Sequence, residues 1–161
     1  MATKRGLSKE QACVPVGVNL NGLSIAKVAN LGRPNVADLQ KVLGGKIARD
    51  SVLVTDSLRS YQKLSFDMGL NHIQIPRNKF KSGIFDIQVV NNYHKRLKDL
   101  IFGIFKGVAT KYLNNYLVYH NFVNFAKDTK TNKEAILFDF IRNTFCQSRS
   151  FEIAKRPILP I

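Results

Sequence analysis

The sequence predicts an α/β domain, and three observations carry that prediction. Short apolar runs rich in β-branched residues (ACVPVGV, SVLVT, HIQI) alternate with longer stretches of helical period. A tight-turn signal, NLNG, separates ACVPVGV from a further apolar run, LSIAKVA, and glycines stand where the first helical periods stop. With 161 residues and 45% apolar content, the chain is long enough for one ordinary domain with a core.

Residues 1–11 (MATKRGLSKEQ) are basic and unpatterned, a leader rather than a targeting element. Residues 12–18 and 23–29 read as two antiparallel strands, because the Asn-Gly pair at 21–22 favours the positive φ of a hairpin turn. Pro15 cannot donate to a ladder and marks an edge or an irregularity. Gly32-Arg33-Pro34 stops the sheet, and Asn35 can cap a helix over 36–43, with Val36, Leu39, Gln40 and Leu43 on one side. Gly44-Gly45 ends it.

Residues 51–55 form a nearly continuous apolar run, which predicts a strand buried on both faces under helices. Asp56 follows directly. A carboxylate at the C-terminal tip of such a strand is well placed for a site, since these tips open into loop-lined crevices. Equally, Asp56 or Ser57 could cap the next helix, expected over 58–68 and closed by Gly69. Residues 72–75 read as another strand. The loop 76–83 carries Arg77, Lys79 and Lys81, which serve either solubility or phosphate contact.

The run 90–122 places a polar constellation and an apolar stripe on one helix. At about 100° per residue, Asn91, His94, Lys95 and Lys98 fall within one arc, and Leu97, Leu100, Ile101 and Ile104 on another. Asn91 and Lys98 lie roughly 10.5 Å apart along that face, a separation suited to a ligand with several charges. Phe105-Lys106-Gly107 interrupts the pattern, and Thr110 can cap a second helix over 111–125, where Leu113, Tyr116 and Leu117 recur and His120 sits at the stripe's boundary. A solvated stretch at 127–133 precedes a last helix, 134–145, with Ile136, Leu137, Phe140 and Ile141 as its apolar face. Residues 148–161 read as an extended tail.

Charge bounds the partners. Lys and Arg total 25 against 11 acidic residues, a formal net charge of +14, and such an imbalance points to a polyanion, with nucleic acid foremost. A membrane is not expected as a partner: no run approaches the roughly 20 apolar residues of a spanning helix and no signal-peptide pattern follows Met1, so the expected location is the cytoplasm. Cys13 and Cys146 have neither CxxC spacing nor neighbouring histidines, which argues against zinc and against a disulfide framework.

The motifs as a set resemble a known family. KRGLSKEQACVPVGVNLNG, SIAKVANLGRPNVADLQKVLGGKI, SVLVTDSLRSYQKL, HIQIP, and above all IQVVNNYHKRLK followed by FKGVATKYLNNYL, resemble the catalytic domain of bacterial insertion-sequence transposases of the ISXO-like DDE superfamily. The branch is the one with Asn as third metal-site residue, and the resemblance covers about residues 4–125. It implies a ribonuclease H-like mixed sheet flanked by helices. It matches Asp56 to the second catalytic Asp, Asn91 to the third metal-site position and Lys98 to the lysine that follows on the same helix. Nothing before Ala12 resembles the family's first, central strand with its Asp. The resemblance therefore implies the C-terminal part of a catalytic domain: a leader (1–11), a truncated ribonuclease H-like region (12–126), and a C-terminal helix and tail (127–161).

The implied chemistry is metal-dependent DNA strand cleavage and transfer, in which two Mg²⁺ (or Mn²⁺) ions activate the attacking oxygen and stabilise the leaving one. Asp56 and Asn91 would be metal ligands, with Arg77, Lys79, Lys81, His94, Lys95 and Lys98 as DNA contacts. One carboxylate and one amide are too few for two metals, so the chain is expected to be inactive alone. A non-catalytic DNA-binding or interaction module, working with a full-length transposase or as a homo-oligomer, is the alternative. The missing strand also makes a structural expectation. Either strands 12–18 and 51–55 pair directly, or the chain is unstable or borrows a strand.

Overall fold

The computed structural model of the chain describes residues 11–128, 132–143 and 150–157. Its centre is the expected hairpin. Strand β1 (Ala12–Cys13) pairs with β4 (Asn30–Leu31), and β2 (Val16–Val18) with β3 (Ser24–Ala26), all antiparallel. Cys13 faces Asn30 but Val16 faces Ala26, so between them the returning strand spends one residue more than the outgoing strand. That is a β-bulge opposite Pro15, whose missing N–H leaves no ladder bond to keep the register. The turn differs from the expected one. Only Gly22 adopts positive φ (82°), Gly22 N–H donates to Asn19 O (3.1 Å), and Asn19 Oδ1 accepts from the N–H groups of Asn21 and Leu23. A side-chain-braced turn closing on a left-handed glycine therefore replaces the two-residue Asn-Gly turn.

Alternation along the hairpin separates two apolar faces. Ala12, Val14, Val16, Val18, Ala26 and Val28 pack with Tyr93, Leu97, Leu113 and Leu117. Ile25 and Ala29 pack on the other side against Leu39, Val42, Leu43 and Leu64. Helix α1 (Val36–Leu43) covers this second face and begins at Asn35 in a reciprocal capping box with Asp38. Its inward residues are Leu39, Val42 and Leu43. Gln40, expected on that side, is exposed, because a packing face centred on Leu39 and Val42 turns Gln40 outward.

Strand β5 (Val52–Thr55), helix α2 (Arg59–Asp67) and strand β6 (Asn71–Gln74) form a parallel βαβ unit, with Ile75 N–H donating to Thr55 O at 2.8 Å. The expected strand burial on both faces does not hold: Val52 is 43% exposed and Leu53 and Val54 are half-buried. Among the described residues β5 has β6 as its one neighbour, and no ladder joins it to the hairpin. Direct pairing of strands 12–18 and 51–55 is thus not the arrangement adopted. The predicted loop 76–83 contains the start of a second small hairpin, β7 (Lys81–Ser82) with β8 (Phe85–Asp86).

Helix α3 (Gln88–Lys98) buries Tyr93 and Leu97, then continues as a π-helix over Asp99–Ile104. The wider turn re-phases the stripe. Ile104, expected inside, is 70% exposed. Lys106 and Gly107, both at positive φ, end the element where the sequence breaks. A 3-10 turn, Thr110–Tyr112, leads into α4 (Leu113–Asp128), so Thr110 lies inside the first turn and does not cap it. Asparagines tie α4 to the hairpin: Asn114 Oδ1 accepts from the N–H of Val28 at the bulge (2.9 Å), and Asn121 Nδ2 donates to Ser24 O (3.4 Å).

His120 is not at a boundary. It is 3% exposed, stacks edge-on to Tyr93 (4.6 Å between centroids), and its Nε2 lies 2.9 Å from Asn124 Nδ2. Burial first, and the Arg96 guanidinium second, lower its pKa to about 4. Because the folded value is below the ordinary one of 6.5, this histidine penalises folding progressively as pH falls from about 6.5 toward 4. An NMR titration of the His120 ring should read a midpoint near 4; a midpoint near 6.5 would place the ring in solvent.

Helices α5 (Lys133–Asn143) and α6 (Ser150–Ala154) complete the described chain. Leu137, expected on an apolar face, is 47% exposed, and α6 occupies part of the expected extended tail. Residues 144–145 of the expected last helix, and Cys146, lie outside the described residues.

Candidate functional site

Asp56 stands immediately after β5, exposed, with Oδ1 accepting the N–H of Leu58 at 3.2 Å. It braces the turn into α2, whose N-cap is Leu58, without capping the helix itself. Behind it, Thr55 Oγ1 lies 2.7 Å from His72 Nε2, joining the two parallel strands at the same end. Burial pushes the Tyr61 hydroxyl up to about 12, and the Asp56 carboxylate and then Cys13 add to the effect. The Cys13 thiol is itself raised by burial and then by Asp38. Asp56 and Cys13 thus both bear on Tyr61 of α2, a group that no sequence motif announced.

Asn91 occupies the second turn of α3, with its side chain exposed. Lys95 and Lys98 are exposed on the same helix, and His94 is half-buried, its pKa lowered by burial and then by Lys98. The helix therefore brings Asn91, His94, Lys95 and Lys98 together as expected from their spacing. No hydrogen bond or ion pair among the described residues joins Asp56 to Asn91 or to Lys98. Lys81 is engaged with Asp86 at 3.5 Å. Among the described residues, Arg77, Lys79, Lys95, Arg96 and Lys98 have no acidic partner. Arg96 was missed by the sequence reading because it falls outside the Asn91–Lys98 arc.

The profile of the ISXO2-like transposase domain matches residues 3–124. The chain belongs to that transposase family. Neither curated proteins nor solved structures give a match. Transposase domains of this kind usually work with a divalent metal. Mg²⁺ takes near-octahedral oxygen ligands, and a two-ion centre needs several carboxylates held together. Among the described residues no group of three or more His, Cys, Asp or Glu gathers in one place. One exposed carboxylate and one exposed amide do not fit a two-metal centre. No helix among the described residues is long and apolar enough to cross a membrane.

Proposed function

We propose that this transposase domain binds DNA, with the α3 face and the 76–83 loop as its contact surface. The observation that carries the reading is the set of exposed cations without acidic partners among the described residues, Arg77, Lys79, Lys95 and Lys98, on a chain of net charge +14. Desolvating such groups against protein would leave them unpaired, whereas a phosphate backbone neutralises them and releases counterions. His94 and Lys81 complete the contact set, Lys81 exchanging Asp86 for a phosphate.

On this reading the domain is the C-terminal part of a ribonuclease H-like catalytic domain in the DDE superfamily, in the branch with Asn in third place. The order hairpin, helix, strand, helix, strand, helix supports it, since apart from the small β7–β8 hairpin before the last helix it runs as that fold does from its second strand onward. Asp56 and Asn91 would then be two donors toward a Mg²⁺ (or Mn²⁺) site that needs further carboxylates from elsewhere, with Lys98 as a backbone contact on the same helix as Asn91. The shortage of carboxylates favours a domain that holds DNA in the bacterial cytoplasm without cutting it unaided. A full-length transposase or a second copy is the partner that would supply what is lacking.

Asp56→Ala tests the reading. Measured on a transposon-end duplex with Mn²⁺ or Mg²⁺, both the chain and the variant should bind with equal affinity, and neither should nick the DNA alone. Metal-dependent nicking by the unaltered chain, lost in Asp56→Ala, would show a self-sufficient enzyme. Loss of binding in the variant would show that Asp56 has a structural role.

A further inference from the structure

The turn of the main hairpin exposes Leu20 completely, at 100%. A single exposed leucine is ordinary. This one is held on a rigid tip: Asn19 braces the loop with two side-chain hydrogen bonds, at 3.0 and 2.8 Å, and the Gly22 N–H closes it. The ordering cost of presenting the side chain is therefore met within the fold itself. Beside it opens a cavity of about 340 Å³ between the turn, α3 and α4, within the range of small-ligand sites. Its walls combine apolar groups, Leu20 and Val89, with the amides of Asn21 and Asn124 and the guanidinium of Arg96.

The geometry points to a wedge-and-pocket device for DNA: Leu20 enters the base stack, and the displaced nucleotide lodges in the adjoining cavity with its phosphate on Arg96. The inference rests on the DNA reading above and goes beyond it, since neither Leu20 nor Arg96 belongs to the α3 contact arc. Each part has a physical reason. An apolar side chain inserted at a base step offsets part of the unstacking cost with the area it buries. A side-chain amide offers the paired donor and acceptor that a base edge requires, and that of Asn21 has no partner among the described residues, whereas the Asn124 amide is engaged with His120. Arg96 has no acidic partner among the described residues either, so its guanidinium is open to a phosphate. Tyr93, almost fully buried and in the cavity wall, gives the pocket a floor that cannot collapse.

The test uses the full chain and a duplex carrying one 2-aminopurine, whose emission rises on unstacking, with anisotropy on the same sample reporting binding. The chain should bind the duplex and raise the emission. In Leu20→Ala the rise should vanish with the duplex still bound. In Arg96→Gln the half-maximal concentration for the rise should move up about tenfold, equivalent to about 1.4 kcal/mol. Both side chains are exposed, so neither change threatens the fold. A bound duplex without any rise, or a full rise in Leu20→Ala, would overturn the wedge while leaving DNA binding in place. Absence of binding by anisotropy would overturn the DNA reading, and the wedge with it.

Discussion

Raising the salt from about 50 to about 200 mM should weaken duplex DNA binding by three to five orders of magnitude, if six to ten phosphates are neutralised. The magnitude follows from counterion release, with a slope of about −0.9 per phosphate contact, and not from the depth of any single ion pair. The cations on α3 and the 76–83 loop that lack an acidic partner among the described residues set where the contacts form. Lys95→Ala with Lys98→Ala should flatten the slope by about two. Lys81 should contribute less, because Asp86 already stands 3.5 Å from it. A fluorescence titration over that salt range reads the slope directly, and a flat line would remove nucleic acid as the partner.

The second large effect concerns stability. Among the described residues both edges of the main hairpin and the outer edge of β5 have no strand beside them. An unsatisfied backbone group that is also shielded from water costs about 1–3 kcal/mol. A whole domain has only about 5–15 kcal/mol in hand, so a few such groups consume it. The purified chain should therefore show no cooperative thermal transition above about 50 °C by circular dichroism, the lower part of the range of ordinary mesophilic domains. A sharp transition above that temperature would mean that water satisfies these edges at little cost, and that the chain is a self-sufficient module.

The local elements were legible because local chemistry decides them. Asn35 and Gly44 bound α1 at the residues expected, since capping needs only neighbours in sequence. Gly69 and the break at Lys106-Gly107 were legible for the same reason. What failed depends on partners far along the chain. The exposure of Val52 and the half-burial of Val54 follow from which strands lie beside β5, and an apolar run reads the same whether its flank is filled or open. Ile104 left the core because a π-turn, invisible to a fixed helical period, re-phased the stripe. For the site, helical spacing sufficed to group Asn91 with Lys98. It said nothing of Tyr61 beside Asp56, of Arg96 beside the hairpin turn, or of His120 fully buried.

Helix α4 meets the hairpin with polar teeth as well as grease. Asn114 holds the amide at the bulge, and Asn121 holds both Ser24 O and the Tyr93 hydroxyl. Apolar contacts tolerate sliding, since one leucine replaces another at little loss. Directional bonds to fixed backbone atoms do not, and a shift of one turn would strand all of them together. The helix is thus indexed against the sheet like a key in a keyway. Swapping in a foreign helix of the same hydrophobic pattern, without these asparagines, would keep the oil and lose the alignment.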